Sequence, residues 1–235
     1  LGMLGMHGTY ESNMAMNKAD LIICVGARFD DRVTGRLDAF APNSKKIHID
    51  IDRSSINKIV PADIAIVGDA GRSLDALIAK CNADGHKAKD LSEWMRRIEG
   101  WRAARSLDFP ENTAPDADIM PQRAVRALYD ATRGKDPIIT TEVGQHQMWA
   151  AQHFGFDAPN RWLTSGGLGT MGYGFPAAVG AQIANPDSLV ICIAGEASVQ
   201  MNIQEMATVS QYRLPVKLFI LNNEWMGMVR QWQEL

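Results

Sequence analysis

The feature that most narrows the fold is an alternation along the chain. Short apolar runs rich in β-branched residues, each closed by a polar residue or glycine, give way to segments with helical apolar spacing. A strand that is apolar at consecutive positions must be covered on both faces, which points to a parallel sheet sandwiched by helices. Residues 20–26 (DLIICVG), 46–51 (KIHIDI) and 64–68 (IAIVG) read as three such strands. A helix follows over 73–80, with Leu74, Leu77 and Ile78 on one face. Leu91, Trp94, Met95, Ile98 and Trp101 then recur at helical spacing, so a second amphipathic helix is expected, its tryptophans in a core or an interface.

Residues 107–118 (LDFPENTAPDAD) interrupt this pattern with two prolines and four acids, the composition of an exposed linker. Pro121 suits the first turn of a new helix that turns Val125 and Leu128 inward. A second α/β series follows: strand 137–141, helix 145–153, strand 189–194, helix 198–212 and strand 216–221. The expected fold class is therefore α/β, with two incomplete parallel-sheet domains joined by a linker. A first residue other than Met and a pattern still running at residue 235 lead us to expect part of a longer protein.

Composition removes several classes of function. The 24 Lys and Arg nearly balance the 27 Asp and Glu, so no basic footprint for nucleic acid or anionic lipid is present. No apolar run approaches the ~20 residues of a membrane-spanning helix. Cys24, Cys81 and Cys192 are odd in number and far apart, which argues against a disulfide framework or a structural zinc site. Cys24 and Cys192 sit within apolar runs and are expected to be core thiols, in keeping with a reducing cytoplasm.

In open parallel sheets ligands bind beyond the carboxyl ends of the strands. The first strand ends in Gly26-Ala27-Arg28-Phe29-Asp30-Asp31-Arg32, which offers close backbone approach and partners for phosphates and hydroxyls. Asp50 and Asp69 follow the second and third strands and suit either ribose hydroxyls or the capping of the next helix. Upstream, His7 stands among Gly2, Gly5 and Gly8. Together these point to a nucleotide cofactor. Residues 167–172 (GLGTMG) satisfy a dinucleotide fingerprint, but 161–165 make a poor buried strand before them, and close packing explains the glycines equally well.

A sharper signal is Gly195-Glu196-Ala197-Ser198, followed 27 residues after Glu196 by Asn223. Neighbouring strand ends would deliver a carboxylate and an amide oxygen suited to Mg²⁺, with Ser198 as the expected N-cap of a helix whose N–H groups face a diphosphate. The other reading is that Glu196 starts a helix and Asn222 opens a turn.

This spacing resembles the thiamine-diphosphate motif. The surrounding words GMHGT (5–9), VGARFDDRVTG (25–35), GQHQMWAAQ (144–152), GGLGTMGYGFPAA (166–178) and GMVRQWQ (227–233) are similar to the catalytic large subunits of the acetolactate (acetohydroxyacid) synthase family. The resemblance implies two Rossmann-like domains, both incomplete. Residues 1–106 would be the C-terminal part of a middle FAD-binding domain, 107–118 a linker, and 119–235 a diphosphate- and Mg²⁺-binding domain.

The resemblance also implies site roles. His7, Gly26, Arg28, Asp50 and Asp69 would contact FAD, and Arg32 would stand at the substrate channel. Gln145 and His146 would lie near the thiamine cofactor, with Met171 as the apolar wedge beneath it. Gly195, Ala197 and Ser198 would face the diphosphate. Glu196, Asn223 and the Trp225 carbonyl would hold Mg²⁺, and Met228, Val229 and Trp232 would line the channel for the second 2-ketoacid. The implied reaction decarboxylates pyruvate and joins the two-carbon unit to pyruvate or 2-ketobutyrate, in branched-chain amino-acid synthesis. Homodimers or homotetramers and a small regulatory subunit would be the partners.

Two departures stand out. The family's metal-binding acid is normally Asp, and here it is Glu196. The glutamate that activates the cofactor belongs to an N-terminal domain outside these residues, so the chain alone is expected to be inactive. A related thiamine-dependent carboligase, oxidase or decarboxylase, and an inactive truncated subunit, are the competing readings.

Overall fold

A computed structural model describes residues 1–105, 107–110 and 117–234. The chain divides into two compact units, Leu1–Leu107 and Asp108–Leu235. Residues 111–116 of the expected linker lie outside the described residues.

The first unit runs α1 (Tyr10–Lys18), β1 (Leu21–Val25), α2 (Asp31–Thr34), a 3₁₀ turn (Leu37–Ala39), β2 (Lys45–Asp50), β3 (Ile64–Val67), α3 (Ala70–Ala83) and α4 (Ser92–Ala104). Its three strands form a parallel sheet in the order β1-β2-β3. Cys24, Phe29, Phe40, Ala41 and Val60 make the core on one side. His48 is fully buried there, its Nε2 2.8 Å from the Ala27 carbonyl and its ring edge-on to Phe29. The helix expected around 91–101 forms, but Ile98 is its only buried residue, and Leu91 and Met95 are exposed. Trp94 and Trp101 instead meet edge to face at 5.6 Å, with the Arg97 guanidinium over both rings. α1, a helix not expected from the sequence, packs against α4. Arg102 of α4 reaches the buried Glu11 of α1 at 3.2 Å.

The second unit runs α5 (Pro121–Thr132), β4 (Ile138–Thr141), α6 (Gln145–His153), β5 (Trp162–Thr164), α7 (Gly174–Ala184), β6 (Val190–Gly195), α8 (Glu196–Gln200), α9 (Glu205–Tyr212), β7 (Lys217–Leu221) and α10 (Gly227–Gln233). Its parallel sheet has the order β5-β4-β6-β7. Every residue of β6 is buried, and its side chains alternate between two cores. Val190, Cys192 and Ala194 join Ile138, Phe175 and Ala178 on the face covered by α7. Ile191 and Ile193 join Ile139, Val125, Ala150 and Phe154 on the face covered by α5 and α6.

Three expectations need correction. The segment 161–165 does supply a strand: β5 pairs with β4 as a three-residue edge, and its half-buried position explains the weak apolar pattern. The single helix expected over 198–212 is two helices, because the chain tightens through 201–204. There Asn202 donates a 2.7 Å hydrogen bond to the Gly172 carbonyl, while Glu205 and Met206 bond back three residues instead of four. Ser198 is not the N-cap of that helix. Gly195 holds the cap position, and Ser198 lies three residues inside. Helices α7 and α10 have no bounds legible in the sequence, which offers only a helix packed behind the glycine-rich loop and, for Trp232, a terminal helix as the alternative to the channel role; the structure forms both.

No helix among the described residues is long and apolar enough to cross a membrane. The three thiols are free, with Cys24 and Cys192 buried and Cys81 half-buried. Burial, and then the nearby Glu142 carboxylate, push the Cys192 thiol up to about 12. The thiolate is the reactive form, so iodoacetamide applied to the native chain is expected to label Cys81 first. Cys192 should react only after unfolding, as read by peptide mass mapping.

Candidate functional site

The strand order of the second unit locates a crevice before any side chain is considered. From β4 the chain passes through α6 to β5 on one side, then returns through α7 to β6 on the other. The strand order therefore reverses between β4 and β6, the point at which open α/β sheets receive ligands. A cleft with an empty volume of about 520 Å³ opens at those carboxyl ends. After β4 it is lined by residues 143–146, after β6 by residues 195–198, and after β7 by Asn223, with Met171 and the 225–229 segment closing it.

The cleft brings together most of the second-unit residues singled out from the sequence: Gln145, His146, Met171, Gly195, Glu196, Ala197, Ser198, Asn223 and Trp225, together with Met228 and Val229. Trp232 is not among them. It lies on α10 with 54% of its surface exposed.

The donor set suits a hard cation. Glu196 opens α8, and no hydrogen bond or ion pair engages its carboxylate among the described residues. Asn223 Oδ1 accepts from the Trp225 N–H at 3.2 Å, and its Nδ2 donates to Gln145 Oε1 at 3.3 Å, which turns this amide toward the cleft. A carboxylate, an amide oxygen and a backbone carbonyl are oxygen ligands of the kind Mg²⁺ prefers, leaving positions open to phosphate oxygens. Among the described residues no cluster of three or more His, Cys, Asp or Glu offers a softer metal site.

Met171 owes its position to glycine chemistry on either side. Gly169 and Gly172 have φ of +77° and +83°, a backbone that side-chain-bearing residues rarely adopt. A Cβ at Gly172 would also sit 2.7 Å from the Asn202 amide nitrogen and 3.0 Å from Met201 Cβ. Gly172 thus follows from tight packing of this loop against the 201–204 turn and Gly169 from its backbone conformation, while a Cβ at Gly167 would meet nothing within 4 Å.

Sequence reasoning missed Glu142, the residue after β4. It is 1% exposed, and its Oε1 accepts from Ser198 Oγ at 2.6 Å and pairs with His146 Nε2 at 3.1 Å. Its Oε2 accepts from the Gly174 N–H at 2.8 Å. A single acid between Thr141 and Val143 carries no motif, so nothing in the chain flagged it. The apolar lining by Trp149, Leu221 and Met226 was also not foreseen.

The first unit holds its own candidates at the carboxyl ends of its strands. Register sets Val25 beside Ile49 and Asp50 beside Val67, so Gly26, Asp50 and Asp69 fall along one sheet edge. Asp69 caps α3 by accepting from the Arg72 N–H at 2.9 Å, one of the two roles open from the sequence. Asp50 accepts from the Asp52 N–H at 2.8 Å. Arg28 is exposed and makes one loose contact, 3.7 Å to Asp30. The loop carrying His7 docks through the Met6 N–H on the Arg32 carbonyl at 2.8 Å. Burial and then the Arg32 charge push the His7 pKa down. A Cβ at Gly26 would meet nothing within 4 Å, so the strand end is open to a ligand's backbone-close approach.

Comparison with known proteins agrees with this geometry. Residues 142–235 match the model of the thiamine pyrophosphate enzyme C-terminal TPP binding domain, and residues 1–77 that of the thiamine pyrophosphate enzyme central domain. The chain is 49% identical over 236 residues to the acetolactate synthase large subunit of Haemophilus influenzae and 49% identical over 237 residues to the isozyme 3 large subunit of Escherichia coli. It is 50% identical over 234 residues to the large subunit of Parasynechococcus marenigrum. Each alignment covers 100% of this chain but only 40%, 41% and 37% of those proteins, so the chain spans about two fifths of the length of the relatives it matches. With both units matched to its domains and the whole length aligned to these large subunits, the chain belongs to the thiamine pyrophosphate enzyme family, on its acetolactate synthase large-subunit branch.

Proposed function

We propose that this chain is part of an acetolactate synthase large subunit that decarboxylates pyruvate and joins the two-carbon unit to pyruvate or 2-ketobutyrate. The observation that carries the reading is the cleft at the β4–β6 reversal, where Glu196 and Asn223 converge. Residues 1–106 would belong to the FAD-binding middle domain and 119–235 to the diphosphate-binding domain, joined through 107–118.

Within the cleft each group has a separate task. Glu196, Asn223 and the Trp225 carbonyl hold Mg²⁺, which neutralises the cofactor's diphosphate. Gln145, His146, Gly195, Ala197 and Ser198 face that diphosphate, and Met171 supports the cofactor's apolar body. Thiamine diphosphate, when bound, supplies the electron sink for decarboxylation. Met228 and Val229, with Trp232 beyond them, shape the path of the second ketoacid, and Arg32 is the residue that matches the family's substrate-channel arginine. His7, Gly26, Arg28, Asp50 and Asp69 bind FAD, which serves structure, since the net reaction transfers no electrons. Cytoplasmic homodimers or homotetramers, with a small regulatory subunit, complete the reading.

Glu196 supplies the most direct test. Mg²⁺ wants near-ideal octahedral geometry with oxygens at roughly 2.0–2.1 Å. Relative to aspartate, the extra methylene advances the carboxylate by up to about 1.5 Å. In the full-length protein, Glu196→Asp should tighten Mg²⁺-dependent thiamine diphosphate binding and raise turnover, and Glu196→Gln should weaken both. The readout is a titration of tryptophan fluorescence and activity against Mg²⁺ and cofactor. If Glu196→Gln matches the parent at limiting Mg²⁺, this carboxylate is not a metal ligand.

Arg28 tests the flavin assignment. Losing charge-assisted hydrogen bonds to a flavin phosphate costs on the order of 1.5–3 kcal/mol. Full-length Arg28→Ala is expected to purify with much less flavin than the parent, measured by absorbance after denaturation. Equal occupancy would return Arg28 to the role of a surface charge.

A further inference from the structure

Glu142 is a buried carboxylate that the reading above gives no task. It lies one residue beyond β4, outside the lining of the cleft, yet each of its partners belongs to a different element around that cleft. Ser198, inside α8, donates its hydroxyl to Oε1, and the same hydroxyl oxygen accepts from the Gly195 N–H at 3.1 Å. His146, in α6, is held against Oε1 through Nε2. A carboxylate oxygen only accepts, so the shared proton sits on Nε2. Gly174, opening α7, donates its N–H to Oε2.

The packing leaves this arrangement no slack. A Cβ at Gly174 would collide with Glu142 Oε2, and one at Gly144 would collide with the His146 ring. A Cβ at Gly195 would come within 2.9 Å of His146 Nδ1. With Nε2 committed to Glu142, Nδ1 is left facing the Gly195 turn.

We propose that Glu142 is a positioning residue: it locks His146 and the 195–198 turn into one register, and so sets the geometry offered to the cofactor's diphosphate. The proposal rests on the cofactor reading above. Glutamine cannot replace it. Three donors converge on two oxygens, and an amide has only one oxygen, so its NH₂ must face a donor on one side or the other. Gly174 reaches the carboxylate from outside the cleft lining. Gly174→Ala therefore disturbs the same register without touching the ligand space.

The test uses the full-length protein with Mg²⁺, titrated with thiamine diphosphate and separately with inorganic pyrophosphate, followed by tryptophan fluorescence. Thermal midpoint and flavin content report the fold. Glu142→Gln and Gly174→Ala should each weaken thiamine diphosphate and pyrophosphate binding at least tenfold, with flavin content unchanged. In a His146→Ala background, adding Glu142→Gln should produce a loss at least threefold smaller than in the parent, because part of its action runs through that ring. Full additivity would mean the carboxylate serves general stability, and would overturn the proposal. Should Glu142→Gln not fold, Gly174→Ala decides alone, and affinity within twofold of the parent overturns it. A parent protein that binds neither ligand would overturn the cofactor reading itself, and this proposal with it.

Discussion

The second unit depends on one constraint: β6 must be buried on both faces at once. Its first five residues alternate between two apolar cores, so α7 has to cover one side while α5 and α6 cover the other. The chain covers both faces by running from β4 through α6 to β5 and then back through α7 to β6 on the other side of β4, and that reversal opens the crevice at the carboxyl ends. The site is thus a product of how the sheet is covered. Polar groups accumulate there because the strand ends are where the chain leaves the apolar interior and can meet a charged ligand.

What could be read beforehand divides along the same line. Helix α6 begins and ends at the expected residues, and β1, β2, β3, β4, β6 and β7 fall within a residue or so of expectation. Their signals are local: β-branched runs for the strands and, for α6, a glycine before a helical stretch. β5 was misjudged because a three-residue edge needs little apolar character, with β4 supplying its register. α7 could be given no bounds because Gly174, Pro176 and Gly180 are poor helix formers by intrinsic propensity. Packing of Phe175, Ala178 and Val179 into the core overrides that preference.

The site shows the same division. Glu196 and Asn223 were legible through their spacing, which follows from one helix pair and one strand between two neighbouring carboxyl ends. Asp69 carried two roles in the sequence; the structure engages its Oδ1 in the capping one, and a carboxylate has a second oxygen for the other. Glu142 was illegible, since its importance comes from donors 4, 32 and 56 residues away. Long-range convergence of that kind leaves no pattern along the chain.

The glycines of the second unit resolve the ambiguity of the 167–172 segment. A dinucleotide fingerprint uses glycine to bring backbone close to a pyrophosphate. Here Gly172 brings backbone close to Asn202 and Met201, and Gly174 brings it close to Glu142. Both serve contacts within the protein, in the loop that projects Met171 into the cleft. The same element, used twice, ties the segment carrying Met171 to the turn after α8 and to the buried carboxylate behind α8. Any shift of Glu142 would therefore be felt at the His146 side of the cleft and at the loop carrying Met171. The glycines of this unit where an added Cβ would come within 3 Å of another atom, Gly144, Gly172, Gly174, Gly195 and Gly227, all lie in or close to the segments that line a single cavity.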